Sequence, residues 1–318
     1  MALAKSFLIA LMACALSGMA IAAGVHSAAL KPGEKVLPTR QLGGSEHSST
    51  DELALVLECM ISLANGEFKD GQKQCTAAIR LDDRDPAPHK LRGASYLFQK
   101  RFEQARIDFK EASRLDPTDA ENYAGYGEAL RGQGKYEEAI HQFSLAVKLA
   151  PFDVRMWNAR CWTRGSFGRE LEKGLSDCNA ALALAPGEAN ILDSRGLIYL
   201  RLGILKLAER DFTASLRKRP NLATALYGRG IAKLRRGDTR GAQRDILSAR
   251  TIDQNVDDTF FWQPLISQKC LTGIVQDHGW RCRPSKRSPS KKTPPISRTA
   301  ATQQERPARM GHGAPPAQ

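Results

Sequence analysis

Residues 120–153 read AENYAGYGEALRGQGKYEEAIHQFSLAVKLAPFD, and stretches built in the same way precede and follow them. The prolines near their ends give the period, because Pro117, Pro151, Pro186 and Pro220 fall 34, 35 and 34 residues apart. A period near 34 predicts a solenoid of helix pairs, in which each unit buries its apolar face against its neighbours. This register defines six units, at residues 52–85, 86–119, 120–153, 154–188, 189–222 and 223–256.

Each unit carries the signals of an antiparallel helix hairpin. Apolar residues recur at steps of three and four, which indicates helices with one buried stripe. Gly134, Gly168, Gly203 and Gly237 occupy the same slot between two such runs, where glycine suits a helix end and a tight turn. The proline that follows the second run then ends the second helix.

The third unit resembles the tetratricopeptide repeat, and the resemblance extends over roughly two thirds of the chain. The matching residues stand at unit positions 4, 8, 11, 15, 17, 20, 24, 27 and 32, and they are Tyr123, Gly127, Leu130, Gly134, Tyr136, Ala139, Phe143, Ala146 and Pro151. The resemblance implies an all-α, right-handed α-solenoid of about six hairpins. It also implies a non-catalytic scaffold or adaptor that binds a protein or peptide.

In this family, positions 2, 5, 9 and 12 of each first helix line the concave surface. The resemblance therefore implies an apolar groove at the C-terminal end of the solenoid, fit for a helix or an extended peptide. Its residues are Trp162, Leu197, Leu200, Tyr227, Ile231 and Leu234. The Lys/Asn/Arg clamp with which some family members hold a peptide carboxylate is not matched. The alternative is that the chain covers this groove with its own C-terminal segment.

The segments outside the solenoid have distinct compositions. Residues 1–23, with Lys5 and an apolar run, predict a secretory signal peptide and an exported protein, periplasmic or secreted. Acylation at Cys14 and an uncleaved anchor are the alternatives. The rest divides into a linker at 24–50, the solenoid at 51–256, an apolar capping segment at 257–282 and a disordered basic tail at 283–318 that is rich in proline.

Six cysteines remain without Cys14, and an oxidising compartment favours their pairing. Four units combine glycine at position 8 with a large residue at position 24, so these positions should touch. In units one and four both become cysteine, which predicts two disulfides, each worth on the order of 3 kcal/mol. Free buried thiols are the alternative. The pairs are Cys59 with Cys75, Cys161 with Cys178, and, by elimination, Cys270 with Cys282.

Positions 7 and 23 also change together. Four units place arginine at the first and aspartate at the second, and the two units that lack the arginine lack the aspartate as well. A repeated pair indicates a structural ion pair rather than a catalytic one, because an active site is made once. The pairs are Arg92 with Asp108, Arg160 with Asp177, Arg195 with Asp211, and Arg229 with Asp245.

The net charge of +13 belongs to the C-terminal third, since residues 195–250 carry 14 Lys or Arg against 4 Asp or Glu. Four cations repeat in register on the second helices of units five and six, and should form a column on the convex side: Lys206, Arg210, Arg240 and Arg244. A solvated face is one interpretation. An anionic lipid or polysaccharide partner is the other, whereas export disfavours nucleic acid.

Nothing in the sequence points to catalysis. There is no phosphate-binding glycine loop, no nucleophile motif and no ligand set with zinc spacing, although His278 between Cys270 and Cys282 leaves a metal site conceivable. We therefore expect no enzymatic activity, no cofactor, no metal and no small-molecule substrate.

Overall fold

The computed structural model describes residues 46–257, with side-chain surroundings from residue 50 onward. They lie within the first of two compact units, residues 1–265, and the second unit, residues 266–318, is outside the described range. The described residues contain twelve α-helices and no strand, which confirms the all-α prediction. The helices are α1 (Glu46–Asn65), α2 (Phe68–Leu81), α3 (Pro86–Phe98), α4 (Phe102–Leu115), α5 (Ala120–Gly132), α6 (Tyr136–Leu149), α7 (Val154–Phe167), α8 (Leu171–Leu184), α9 (Ala189–Leu202), α10 (Leu205–Lys218), α11 (Ala223–Arg236) and α12 (Thr239–Ile252).

The helices form six hairpins in chain order, each made of an odd-numbered and an even-numbered helix. Within a hairpin the two helices pack along their length, and the second helix then packs on the first helix of the next hairpin. Successive first helices also contact one another at every junction. The odd-numbered helices are therefore the inner row of the stack, and the confirmed fold is that of a helical solenoid.

Left-handed backbone makes the turn inside each hairpin. Gly134, Gly168, Gly203 and Gly237 have φ of 76°, 73°, 76° and 95°, a conformation that glycine adopts without a Cβ penalty. The second hairpin places Lys100 in the same slot with φ of 58°. The turn is thus imposed by the repeat geometry even where glycine is missing.

Aspartates begin several of the first helices. Asp119 precedes α5 and its carboxylate accepts a hydrogen bond from the Glu121 backbone N–H, while Asp153 does the same for Arg155 at the start of α7. Such caps satisfy backbone donors that have no partner within the helix. In these hairpins they fix where the first helix starts after the proline that ends the hairpin before.

The core between hairpins is built around position 24 of the second helices. Phe109 is fully buried, and its ring lies against Gly93 of its own hairpin and against Gly125 of the next one. Phe212 lies in the same way against Gly196 and Gly228. Glycine is needed on both sides because a Cβ at Gly125 would come within 2.2 Å of the Phe109 ring.

One boundary differs from the sequence-based expectation, and three predicted segments lie wholly or mostly outside the described residues. Helix α1 begins at Glu46, inside the range 24–50 that the composition assigns to a linker. The predicted signal peptide, most of the capping segment and the basic tail fall outside the described residues. Over the residues that are described, no helix is both long and apolar enough to cross a membrane.

Candidate functional site

The four arginine–aspartate pairs all meet in the same geometry. In the second hairpin, Arg92 Nε lies 2.9 Å from Asp108 Oδ2 and Nη2 lies 2.7 Å from Oδ1, so the guanidinium donates to both carboxylate oxygens. Each aspartate is buried. The remaining pairs repeat this two-bond contact and are Arg160 with Asp177, Arg195 with Asp211, and Arg229 with Asp245.

Three of these arginines also reach the preceding hairpin, which the sequence did not indicate. Arg92 Nη1 donates to Thr76 Oγ1 at 2.8 Å, and Arg160 Nη1 donates to Ser144 Oγ at 3.2 Å. Arg195 Nη1 donates to the Asn179 side-chain oxygen at 3.0 Å. In these three hairpins the ion pair therefore links the two helices of the hairpin and also contacts the preceding hairpin, which supports a structural role.

A second cation joins the aspartate in two hairpins. Arg164 donates to Asp177 in the fourth hairpin, and Lys233 Nζ lies 2.8 Å from Asp245 Oδ2 in the sixth. Burial opposes ionisation of Asp245, but hydrogen bonds from Arg229 and Lys233 lower its pKa below the usual range. Both added cations stand at position 11 of their units, four residues after the repeated arginine. A basic residue at that position was the feature of the sequence that could have predicted this contact.

The structure joins two of the predicted cysteine pairs. The Cα atoms of Cys59 and Cys75 are 5.3 Å apart, and those of Cys161 and Cys178 are 5.4 Å apart, with a disulfide in each case. Both separations lie within the range that a disulfide spans without distortion. All four residues are fully buried within their hairpins. Cys270 and Cys282 lie outside the described residues.

The six groove residues are on the inner row, but most of them are not open to solvent. Leu197, Leu200, Tyr227 and Ile231 are buried, whereas Trp162 and Leu234 are partly exposed. Part of the burial comes from packing between first helices, since the Leu197 side chain lies against Gly165 of α7. The implied apolar groove is thus a buried layer with two partly exposed residues.

Upstream of this layer the inner row is charged and self-paired. Lys90 Nζ lies 2.8 Å from Asp119 Oδ2, and Arg131 donates to Glu128. Arg155 bridges Asp153 and the buried Glu121 of the preceding hairpin. Burial raises the pKa of Glu121 in spite of Arg155. A partner on the middle hairpins would meet ion pairs rather than apolar side chains.

One buried carboxyl group on the inner row was not singled out from the sequence. Asp193, on α9, accepts a hydrogen bond from Thr224 Oγ1 at 2.5 Å, and its Oδ1 has no hydrogen-bond partner among the described residues. Burial raises its pKa to about 7, against the opposing effects of Thr224 and Arg219. It occupies position 5 of its unit, so the sequence could predict that it lies on the inner row. The sequence could not predict that it is buried.

The predicted basic column is exposed. Lys206, Arg210, Arg240 and Arg244 all lie at the surface of the second helices. Arg210 Nε is 3.7 Å from Asp211, which the Arg195 guanidinium already binds; within the described range no carboxylate lies within 4.0 Å of the other three. Position 18, which Lys206 and Arg240 occupy, is glutamate in units two, three and four: Glu103, Glu137 and Glu172.

A metal site has no basis in this part of the molecule. Among residues 50–257, no group of three or more histidine, cysteine, aspartate or glutamate side chains is arranged to hold an ion. The repeated acids and cations neutralise each other in ion pairs instead.

Comparison with known proteins agrees with the repeat. A family model described as tetratricopeptide repeat matches residues 96–160. No curated protein sequence matches the chain. Among solved structures, a tetratricopeptide repeat protein from Parabacteroides merdae is similar with a TM-score of 0.56 and 12% identity, over 71% of this chain and 98% of that one.

Two further structures share the fold. One comes from a characterisation of PilF of Pseudomonas aeruginosa, with a TM-score of 0.54 and 14% identity over 65% of this chain and 94% of that one. The other is a chain of the APC/C hetero-tetramer Cut9–Hcn1, with a TM-score of 0.56 and 14% identity. There the match covers 65% of this chain and only 42% of the other. The described residues therefore have the fold of tetratricopeptide repeat proteins, and residues 96–160 match the model of that family.

Proposed function

We propose that the protein is a non-catalytic interaction scaffold or adaptor that binds a peptide or helix along its inner row of first helices. The observation that carries this proposal is the partly exposed Trp162, which lies on α7 between a charged and an apolar stretch of that row. Tryptophan side chains of this kind contribute much of the free energy at protein interfaces. The buried Leu197, Leu200, Tyr227 and Ile231 would support the bound segment from beneath, with Leu234 as its second contact.

The register of the stack supports this location. Leu197 at position 9 lies against Gly165 at position 12 of the preceding hairpin. The same register puts Trp162 next to Arg131, which is paired with Glu128. A bound peptide would therefore meet an aromatic side chain flanked by charge, and this combination favours a partner with one apolar anchor and polar flanks.

We also propose that the scaffold works in the cell envelope. The leader-like composition of residues 1–23 and the two disulfides support an oxidising compartment. Mass spectrometry that identifies the first residue of the exported protein tests this part of the proposal. A chain that begins at residue 1 and keeps its cysteines reduced would contradict this part of the proposal.

Selection of peptides from a random phage-displayed library tests the inner row, with residues 24–318 as bait and the disulfides formed. Selected peptides should lose at least about tenfold in affinity for the Trp162→Ala variant. Phe152→Ala is the matched control, because Phe152 is an aromatic residue that is 85% exposed in the turn before α7 and is not one of the inner-row residues. Peptides that bind both variants as well as the parent protein would contradict the proposed site.

The exposed basic column favours a second candidate function, attachment to an anionic envelope surface. Lys206, Arg240 and Arg244 have no carboxylate close by within the described part of the chain, and the tail from Arg283 adds 8 Lys or Arg against 1 Asp or Glu. Each cation near an anionic membrane contributes about 1 kcal/mol, an effect that salt screens.

Vesicle binding separates the two candidates. Binding to vesicles with anionic headgroups should fall steeply between about 50 and 300 mM salt, and the double variant Lys206→Glu with Arg240→Glu should weaken it. Peptide binding at the inner row should change little over the same range. Vesicle binding that persists in high salt and in the double variant would eliminate the surface-attachment function.

A further inference from the structure

The N-terminal end of the stack exposes an apolar face on α1. Ile61 is 60% exposed, Leu53 is 42% exposed and Leu57 is 37% exposed. The three residues are spaced by four, so they form one stripe along the helix, which we call the α1 face. Three large aliphatic side chains in a row at the surface of one helix indicate a contact surface rather than scattered exposure.

The position of Ile61 is buried in every later hairpin and that of Leu57 in most of them, whereas the position of Leu53 is mostly only partly covered, with Arg155 exposed there. The residues equivalent to Ile61 are all 0% exposed, and they are Ser95, Ala129, Thr163, Ile198 and Ala232. Those equivalent to Leu57 include Gly125 and Gly228, which lie against Phe109 and Phe212 of the preceding hairpin. The part of the α1 face around Leu57 and Ile61 thus corresponds to the surface that later first helices bury against another helix, and the first hairpin has no predecessor in the described stack.

The residues that precede α1 are poorly suited to supply such a helix. Residues 24–45 contain Pro32, Gly33, Pro38 and two adjacent glycines at 43–44. The longest stretch without proline or glycine is residues 25–31. The second helices of the hairpins are 14 residues long. Proline and glycine in a helix interior cost about 3 and 1 kcal/mol, so this segment does not offer an equivalent of α2.

The other end of the stack does not offer a complementary surface either. Ile246 and Ala249 of α12 occupy the positions of Phe109 and Ala112, which pack on a following hairpin, and both are 0% exposed. Val256, just after α12, is also fully buried. Since that surface is already covered, addition of a second copy head to tail is disfavoured. The arrangement that is left is a contact between the α1 faces of two identical copies.

Self-contact of the α1 face brings no like charges together. From Leu53 to Asn65 the only ionisable residue is Glu58. Its side chain lies 3.5 Å from the Gln74 side chain of the same hairpin. An isologous interface has to be complementary to itself, and an uncharged apolar stripe meets that requirement.

We infer that the α1 face is a homodimer interface, in which α1 of one copy packs antiparallel on α1 of a second copy. The twofold axis passes near Leu57, so Ile61 of each copy contacts Leu53 of the other. At a rise of about 1.5 Å per residue, the stripe from Leu53 to Ile61 is about 12 Å long. An interface this small lies at the weak end of specific association, and the dimer should depend on protein concentration.

Sedimentation velocity on mature chain 24–318 tests this interface. The parent protein should shift from monomer to dimer between about 1 and 200 μM, and Ile61→Glu should raise the dimer dissociation constant more than about tenfold by placing a charge in the contact. Ile107→Glu is the matched control, because Ile107 is 54% exposed on α4. A parent protein that stays monomeric at 200 μM overturns the proposal, as does an equal effect of both variants.

A cross-link locates the axis and distinguishes other occupants of the face. With Cys270→Ser and Cys282→Ser as background, Leu57→Cys should form a disulfide between two copies through position 57, identified by mass spectrometry. Ile107→Cys should not. Deletion of residues 24–44 should leave the dimer intact. A dimer that is lost on this deletion, or a cross-link from position 57 to a different residue, overturns the proposed contact.

Discussion

The third hairpin, α5 with α6, and the fourth, α7 with α8, are neighbours in the stack but are held together by different interactions. In the third hairpin the Phe143 ring fills the space left by Gly127, and neither a disulfide nor an arginine–aspartate pair is present. In the fourth, a disulfide joins Cys161 to Cys178, and Asp177 binds Arg160 next to it.

The difference shows that the hairpin geometry can be stabilised in two ways. A Cβ at Gly127 would lie 2.9 Å from the Phe143 ring, so glycine and aromatic ring fit only as a pair. Two cysteines of intermediate size occupy the same positions in the fourth hairpin and are covalently joined. The combined volume of the two side chains is roughly conserved between the two hairpins, as close packing requires, whereas their interaction changes from packing to a covalent bond. Three predictions test how far the two hairpins differ, and a fourth concerns a buried carboxyl group in the next hairpin.

The largest effect should come from Asp177→Ala in the fourth hairpin. The substitution leaves Arg160 and Arg164 without their shared carboxylate, and both side chains are mostly buried. Breaking a buried ion pair from one side costs 3–5 kcal/mol, and we expect about 4–5 kcal/mol in urea unfolding. Gln142→Ala, at the same position in the third hairpin, should change the free energy of unfolding by less than about 1 kcal/mol. Similar values for both variants would mean that the ion pair contributes little.

Phe143→Ala should have the next largest effect, because it removes the ring on which the third hairpin depends. Phe143 is 0% exposed, and truncation of a buried phenylalanine costs about 3–5 kcal/mol through lost contacts and a cavity. We expect about 3–4 kcal/mol by urea denaturation, and a smaller loss for Phe143→Leu. A loss below about 1 kcal/mol would indicate that neighbouring hairpins close the cavity.

Replacing the disulfide of the fourth hairpin should cost somewhat less. The bond closes a loop with a sequence separation of 17, and the double variant Cys161→Ala with Cys178→Ala should lose about 3 kcal/mol under oxidising conditions. The double variant Cys161→Gly with Cys178→Phe installs the pair found in the third hairpin and should recover part of the loss in thermal unfolding. If it is less stable than the alanine variant, the two solutions are not interchangeable.

The smallest effect concerns a buried carboxyl group without an arginine partner, Asp193 on α9. Its folded pKa of about 7 is above the usual value near 3.9, so the folded state holds the proton more tightly than the unfolded chain. Stability from this group is therefore full at low pH and is lost as the pH rises from about 4 through 7. Between pH 5 and 8 we expect a loss of about 2–3 kcal/mol in urea titrations, and Asp193→Asn should flatten this dependence. An unchanged slope in that variant would assign the pH dependence to other groups.

Contacts within a hairpin were largely predictable from the sequence. The repeat register indicates which positions of the two helices face each other, and the structure brings the cysteine pairs and the arginine–aspartate pairs within bonding distance at separations of 16 and 17. Six aligned copies in one chain make paired replacements visible, as with Cys59 and Cys75. The sequence did not predict the left-handed backbone of Lys100, because lysine disfavours that conformation.

Contacts between hairpins were predicted less well. The bonds from Arg92 to Thr76 and from Arg160 to Ser144 join partners of ordinary type, so no residue marks them in advance. The burial of Leu197 depends on the close approach of α7 at Gly165. The exposure of Ile61 follows only from its place at the end of the stack.

The sequence by itself determined the period, the helix hairpins and the pairs that close each hairpin, because these depend on spacing along one chain and recur in every unit. The tertiary structure alone decided which apolar residues of the inner row are buried, which arginines bridge to the preceding hairpin and which helix face is left open at α1. The physical reason is that burial and bridging depend on the distance and angle between neighbouring hairpins, and residues such as Gly165 and Phe109 set these jointly in three dimensions.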